Sequence, residues 1–147
     1  MDIFVTRPAK LIDLEPIQAL ATELAQSDIP FDSQIDINWA YSSDGIKYYS
    51  EKISNQLCTV AEHNNVIVGY STYGIKEVPS WRLVKVAELE NLYVTYTMRS
   101  KGVGQKQVND FMSLAHAQEA NKAAVSVFFP NDRAISFYKR QGLVSMT

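Results

Sequence analysis

The sequence predicts an α+β domain with a mixed sheet, in which an antiparallel meander joins a strand–helix–strand crossover. Three observations carry this. Segments 56–63, 66–76 and 84–94 are β-rich runs, the first two separated only by the turn dipeptide "NN". Residues 101–121 then carry apolar positions at helical spacing. The run "KAAVSVFF" that follows, Lys122 to Phe129, has the apolar pattern of a strand covered on both faces.

Taken in order, Ile3 to Arg7 alternates and is β-branched, a strand ended by Pro8. "LIDLEPIQALATELAQS" places Leu14, Ile17, Leu20, Ala21 and Leu24 on one helical face, with Asp13 expected as N-cap and Pro16 in the first turn, where it is tolerated. "DIPFDSQIDINWAYSSDG" is acidic, aromatic and broken by Pro30; an irregular loop with at most a short helix is expected. "IKYYSEKISN" reads as another short helix. The meander occupies the next forty residues, with the best alternation from Val84 to Val94. In the following helix Gly104, Val108, Phe111, Met112, Ala115 and Glu119 trace one face. "NDRAISFYKRQG" is a last helix, capped by Asn131 or Asp132 and stopped at Gly142. "LVSMT" supplies one short final strand or none.

Composition narrows the function classes. The 147 residues suit one domain, 1–147, and 46% apolar residues are enough to build its core. A formal net charge of −2 gives no reason to expect nucleic acid. The N-terminus lacks a basic stretch followed by an apolar run, and no apolar segment approaches the ~18 residues a membrane span requires. The lone Cys58 cannot pair within the chain, which fits a reducing compartment; a cytoplasmic protein is expected. His63 and His116 have no second ligand near them in sequence, so no metal is expected.

The most informative stretch is "MRSKGVGQKQ", Met98 to Gln107. Gly102 and Gly104 stand between the end of a strand and the start of a helix. A helix opening leaves backbone N–H groups without partners, and glycine removes Cβ atoms that would block a ligand from them. The helix dipole adds about half a positive charge, and Arg99, Lys101 and Lys106 add whole ones. A phosphate or pyrophosphate is the natural guest. "GVGQKQ" does not fit the G-x-x-x-x-G-K-[ST] spacing of a Walker loop, and Gln107 stands where a dinucleotide fingerprint needs its third glycine.

Arg99-Ser100-Lys101-Gly102-Val103-Gly104, followed about thirty residues later by Asn131, Ala134, Phe137, Tyr138, Gly142 and Leu143, resembles the GNAT superfamily of acetyl-CoA-dependent N-acetyltransferases. The first group matches its [RQ]-x-x-G-x-[GA] loop; the second matches N-x-x-A-x-x-F-Y-x-x-x-G-[FL]. The segment before the arginine, "TYTMR", lacks the proline and aromatic common in the family. The chain also stops five residues after Gly142, where the family usually continues through a hairpin. An uncovered sheet edge there suggests a homodimer.

The resemblance implies direct transfer of acetyl from acetyl-CoA to a primary amine. Backbone from Arg99 to Gln105 (Ser100, Lys101, Gly102, Val103 and Gly104 between) would hold the pyrophosphate. Leu92, Tyr93 and Val94 would pair with the pantetheine arm, and Asn131 would hydrogen-bond the cofactor. Tyr138 matches the usual general acid, with Glu90 or Glu88 as the base, Glu90 preferred. The two glutamates are two apart on one strand and so share a face. Lys139 and Arg140 are candidates for the CoA 3′-phosphate. Acids and aromatics interleave between residues 20 and 55, which suits an amine-bearing small molecule or peptide and slightly favours a small cationic amine. The alternative is a catalytically inactive CoA-binding or oligomeric interaction protein on the same fold.

Overall fold

The computed structural model describes residues 3–78, 84–126 and 131–145. Ten elements follow the expected order: β1 Val5–Pro8, α1 Leu14–Asp28, α2 Ser43–Ser54, β2 Cys58–His63, β3 Val66–Val78, β4 Val84–Val94, α3 Val103–Ala117, β5 Lys122–Val125, α4 Asp132–Arg140 and β6 Val144–Ser145. The strands form one sheet in sequence order. β1 to β4 are antiparallel neighbours, and β4–β5 and β5–β6 are parallel. This is the mixed α+β sheet the sequence predicts, with a final strand of two described residues. Val127, Phe128, Phe129, Met146 and Thr147, which complete two expected strands, lie outside the described residues.

Local chemistry sets most boundaries. Asn64 and Asn65 both take positive φ, 50° and 64°, the backbone that a two-residue hairpin turn demands. Asn131 rather than Asp132 caps α4, its Oδ1 accepting from the Ala134 N–H at 3.2 Å. Ser42 caps α2 by accepting from Gly45 N–H at 3.1 Å, so that helix starts three residues before the expected Ile46. Gly142, at φ +81°, ends α4, and Leu143 N–H returns to the Tyr138 carbonyl.

Two expectations need correction. Asp13 does not cap α1 with its side chain. Its carboxylate instead accepts from both terminal nitrogens of Arg7, at 2.8 and 3.0 Å, and from Lys10 N–H. A bidentate charged pair is stronger than a single cap bond, and the arginine is supplied by the neighbouring strand. Glu119 is not on the face of α3: the helix ends at Ala117, and Glu119 turns away with φ 57°.

Each face of the sheet has its own core. Ile17 and Leu20 of α1, Tyr49 and Ile53 of α2, and Val60, Tyr70 and Tyr93 of the sheet form one cluster. Val108, Phe111 and Ala115 of α3 pack with Tyr73, Leu89 and Val125 in the other, against which Phe137 and Tyr138 of α4 lean. Phe111 is fully buried, which contributes about 1.5–3 kcal/mol relative to exposure. Cys58 is buried in the first core, as expected, and burial pushes its thiol up to about 12, which suits packing and not nucleophilic chemistry.

Candidate active site

One break in the sheet register organises the site. Thr72 pairs with Asn91, but Tyr73 pairs with Leu89, so Glu90 is an extra residue in β4, a β-bulge. Beyond it β4 runs on to Val94 against β3. Among the described residues, β5 pairs only with Val86 to Leu89. The edge of β4 from Glu90 to Val94 thus lacks a parallel partner there, and its backbone borders a cleft of about 1500 Å³.

The α3 opening forms one end of this cleft. Ser100 (φ 62°) and Gly102 (φ 89°) both adopt the left-handed region. That conformation comes without penalty at Gly102, where an added Cβ would meet no protein atom within 4 Å. The first intrahelical bond runs from Lys106 N–H to the Gly102 carbonyl. The N–H groups of Val103, Gly104 and Gln105 therefore precede the ladder. Arg99 is fixed above them: its Nε donates to the Val94 carbonyl at 3.1 Å, and its guanidinium lies 5.4 Å from the Tyr93 ring and 5.7 Å from the Tyr96 ring.

Most of the residues singled out from sequence meet in this cleft. Leu92, Tyr93, Val94, Arg99, Ser100, Gly102, Gly104, Gln105, Asn131 and Tyr138 all border it, as does Glu90. Val103 does not; its side chain is buried among Ala61, Val68, Val94 and Met98. Lys101 and Glu88 are also outside its lining, and Glu88 is ion-paired with Lys76 of β3. Of the two basic residues considered for a 3′-phosphate, Arg140 borders the cleft and Lys139 does not.

Tyr138 is half-buried on α4. Burial first, and the Asp28 charge second, push its hydroxyl up to about 12, so it stays a proton donor at neutral pH. Glu90 is held from two sides. Tyr48 of α2 donates to its Oε1 at 2.5 Å, and the Lys52 ammonium lies 3.1 Å from Oε1 and 3.2 Å from Oε2. Lys52 also donates to the Tyr73 carbonyl, and Asn91 donates to the hydroxyls of Tyr48 and Thr72. Gly74 makes room for this arrangement, since a Cβ there would overlap the Glu90 carboxylate.

Sequence reasoning missed the partners Tyr48, Lys52, Asn91 and Gly74, which no local pattern links to Glu90. It also missed Asp28 as a distinct group. Asp28 ends α1, borders the cleft, and has its carboxyl raised by burial. The acidic and aromatic segment after it does form a wall of the cleft, through Phe31, Asp36, Trp39, Tyr48 and Tyr49. Among the described residues no group of three or more His, Cys, Asp and Glu is placed to hold a metal ion, and no helix is long and apolar enough to cross a membrane.

Among the described residues, a strand edge without a parallel partner thus runs into the unladdered start of a helix along one cleft. The chain belongs to the acetyltransferase (GNAT) family, which it matches over residues 19–143, and acetyl transfer is accordingly its chemistry. Solved structures share the fold. The aminoglycoside N-acetyltransferase AAC(6')-Iy, in complex with CoA, is 15% identical with a TM-score of 0.75, over 97% of this chain and 89% of that one. Naa50 of Arabidopsis thaliana, in complex with a CoA–peptide bisubstrate analogue, is 20% identical with a TM-score of 0.70, over 95% and 82%. A predicted acetyltransferase from Clostridium acetobutylicum, solved with acetyl-CoA, is 18% identical with a TM-score of 0.71, over 92% and 88%.

Proposed function

We propose that this protein moves the acetyl group of acetyl-CoA directly to a primary amine within a ternary complex. The observation that carries the reading is the convergence in one cleft of the α3 opening, the edge of β4 that lacks a parallel partner among the described residues, and Tyr138. The backbone from Arg99 through Gln105 takes the pyrophosphate, with Lys101 and Val103 contributing main-chain groups whatever their side chains do. Leu92, Tyr93 and Val94 offer their edge to the pantetheine amides as a strand would. Asn131 spends its side-chain oxygen on the helix cap, which leaves the amide N–H₂ for the cofactor. Tyr138 donates its proton to the departing sulfur, and a carboxylate of the cleft takes a proton from the incoming ammonium. Of the two glutamates, Glu90 is the one that borders the cleft.

The acceptor enters over the α1–α2 wall. Two carboxylates, Asp28 and Asp36, and the rings of Phe31, Trp39, Tyr48 and Tyr49 border it, a lining suited to a cationic amine. AAC(6')-Iy is named for an aminoglycoside and Naa50 was bound to a peptide analogue, so both acceptor sizes fit the fold. The wall's acidity favours the small cationic amine.

One observation favours a second reading, a cofactor-binding protein without turnover: both glutamates chosen from sequence are committed to lysines. Acetyl-CoA-dependent thiol release, tested across an amine panel with wild type and Tyr138→Phe, separates the two. An enzyme loses rate in the variant while acetyl-CoA still raises its melting temperature. A binder shows the stabilisation and no thiol release in either form.

A further inference from the structure

Of the three carboxylates that border the cleft among the described residues, Asp36 is exposed and accepts from Asn38 N–H, while Glu90 on β4 and Asp28 at the end of α1 differ sharply in their surroundings. The Glu90 carboxylate is already committed, to an ion pair with Lys52 and a hydrogen bond from Tyr48. Asp28 has no such commitments. Among the described residues its carboxylate has neither a hydrogen bond nor an ion pair, although the residue is half-buried. It also stands where a local rule is broken. The C-terminal end of a helix carries about half a negative charge, which disfavours an acid, and the last turn of α1 has no basic residue to offset it. The helix-end carbonyl of Asp28 itself accepts from Phe31 and Asp32 N–H, which fixes the turn below the side chain.

A carboxylate without a partner among the described residues, at the negative end of a helix and bordering a cleft, suits a cation. Tyr138 borders the same cleft, and the Asp28 charge is the lesser of the causes that raise its hydroxyl. Among the described residues, the remaining charged groups of the cleft walls are Asp36, Glu90, Arg99, Arg133 and Arg140. We infer that Asp28, and not Glu90, receives the acceptor's reacting ammonium and takes its proton, with Glu90 acting as a positioning residue that props the β4 bulge. This rests on the acetyltransferase reading above. The step balances. One ammonium proton passes to the Asp28 carboxylate and leaves to solvent. The freed nitrogen pair forms the C–N bond, and the C–S bond breaks with its electron pair leaving on sulfur. Tyr138 supplies the sulfur's proton and regains one from the nitrogen that has just bonded.

The test compares wild type with Asp28→Asn, Asp28→Glu and Glu90→Gln. Each is assayed for acetylation of spermidine, kanamycin and tyramine, and melted with and without acetyl-CoA. Asp28→Asn is expected to lower kcat/KM by about 10²-fold or more, as loss of a general base does, while Asp28→Glu keeps most of it. Without ligand, Asp28→Asn should melt higher than wild type at pH 7, because it removes an unpaired charge, and Glu90→Gln should melt lower. Acetyl-CoA should stabilise all four. Asp28→Asn within about threefold of wild-type kcat/KM overturns the inference while leaving the acetyltransferase reading standing. Failure of all three amines to react with an acetyl-CoA-stabilised wild type also overturns it. A wild type that acetyl-CoA does not stabilise overturns the acetyltransferase reading, and this inference with it.

Discussion

The two walls of the cleft are built on different principles. The wall of α3, α4 and the end of β4 presents largely backbone: unladdered N–H groups, a left-handed glycine and a strand edge that, among the described residues, has no parallel partner. The α1–α2 wall works with side chains, set on an irregular segment held by a few local bonds such as Asn38 N–H to Asp36 at 2.9 Å. A backbone site accepts one shape of ligand and depends on conformation. A side-chain site is retuned by single substitutions. The first suits an invariant cosubstrate, and the second an acceptor that differs from one relative to the next.

The sharpest way to probe that contrast is at Tyr138, a side chain set into the backbone wall. Tyr138→Phe is expected to lower kcat by about 10²–10⁴-fold while leaving the acetyl-CoA-induced rise in melting temperature intact. A parallel loss of cofactor stabilisation would mean that the ring packs the cofactor and does not protonate it.

Gly74→Ala attacks the junction of the walls, because the new methyl overlaps the Glu90 carboxylate held by Lys52 and Tyr48. Overpacking of this kind costs about 1–3 kcal/mol, and a melting temperature several degrees lower is the expected reading. An unchanged melting temperature would show that Glu90 repositions freely and that the lysine pair matters little.

Arg99→Ala leaves the backbone N–H groups in place and removes one charge and one stacking partner of Tyr93. Acetyl-CoA affinity measured by calorimetry should fall by about tenfold, the equivalent of ~1.4 kcal/mol. A complete loss of binding would assign the arginine, and not the backbone, the larger share.

The smallest expected effect lies away from both walls, at Asp13. The Arg7 hydrogen bonds hold its carboxyl below the ordinary value. A lowered carboxyl adds stability above its unfolded pKa near ~3.9, and that contribution is lost as pH falls through the folded value. Asp13→Asn should therefore melt a few degrees lower than wild type at pH 7, the equivalent of about 1–2 kcal/mol, with the gap closing in strong acid. Acetyl transfer should not change.

The backbone wall was legible because it is local. Arg99 to Gly104 and Asn131 to Gly142 are contiguous motifs whose spacing alone implies a helix opening, a cap and a stop, and the structure puts each where the spacing says. The order of strands and helices was legible for the same reason, since alternation, helical period and turn residues are short-range signals. Asp13 and Glu119 escaped that reading because in each case something outside the local pattern decided: an arginine on the adjacent strand, and a helix ending two residues early.

Tertiary structure alone decided the chemistry of the carboxylates. Sequence could place Glu88 and Glu90 on one face of a strand, but not the bulge at Glu90 or the Lys52 and Tyr48 that hold it from 38 and 42 positions away. Nor could it show that Asp28, one acid among several in an irregular stretch, would end a helix without a partner among the described residues and border the same cleft as Tyr138. Periodicity and capping are properties of neighbouring residues and are written in the chain. Whether a charge is paired, buried or exposed to a ligand depends on groups brought together only when the layers pack.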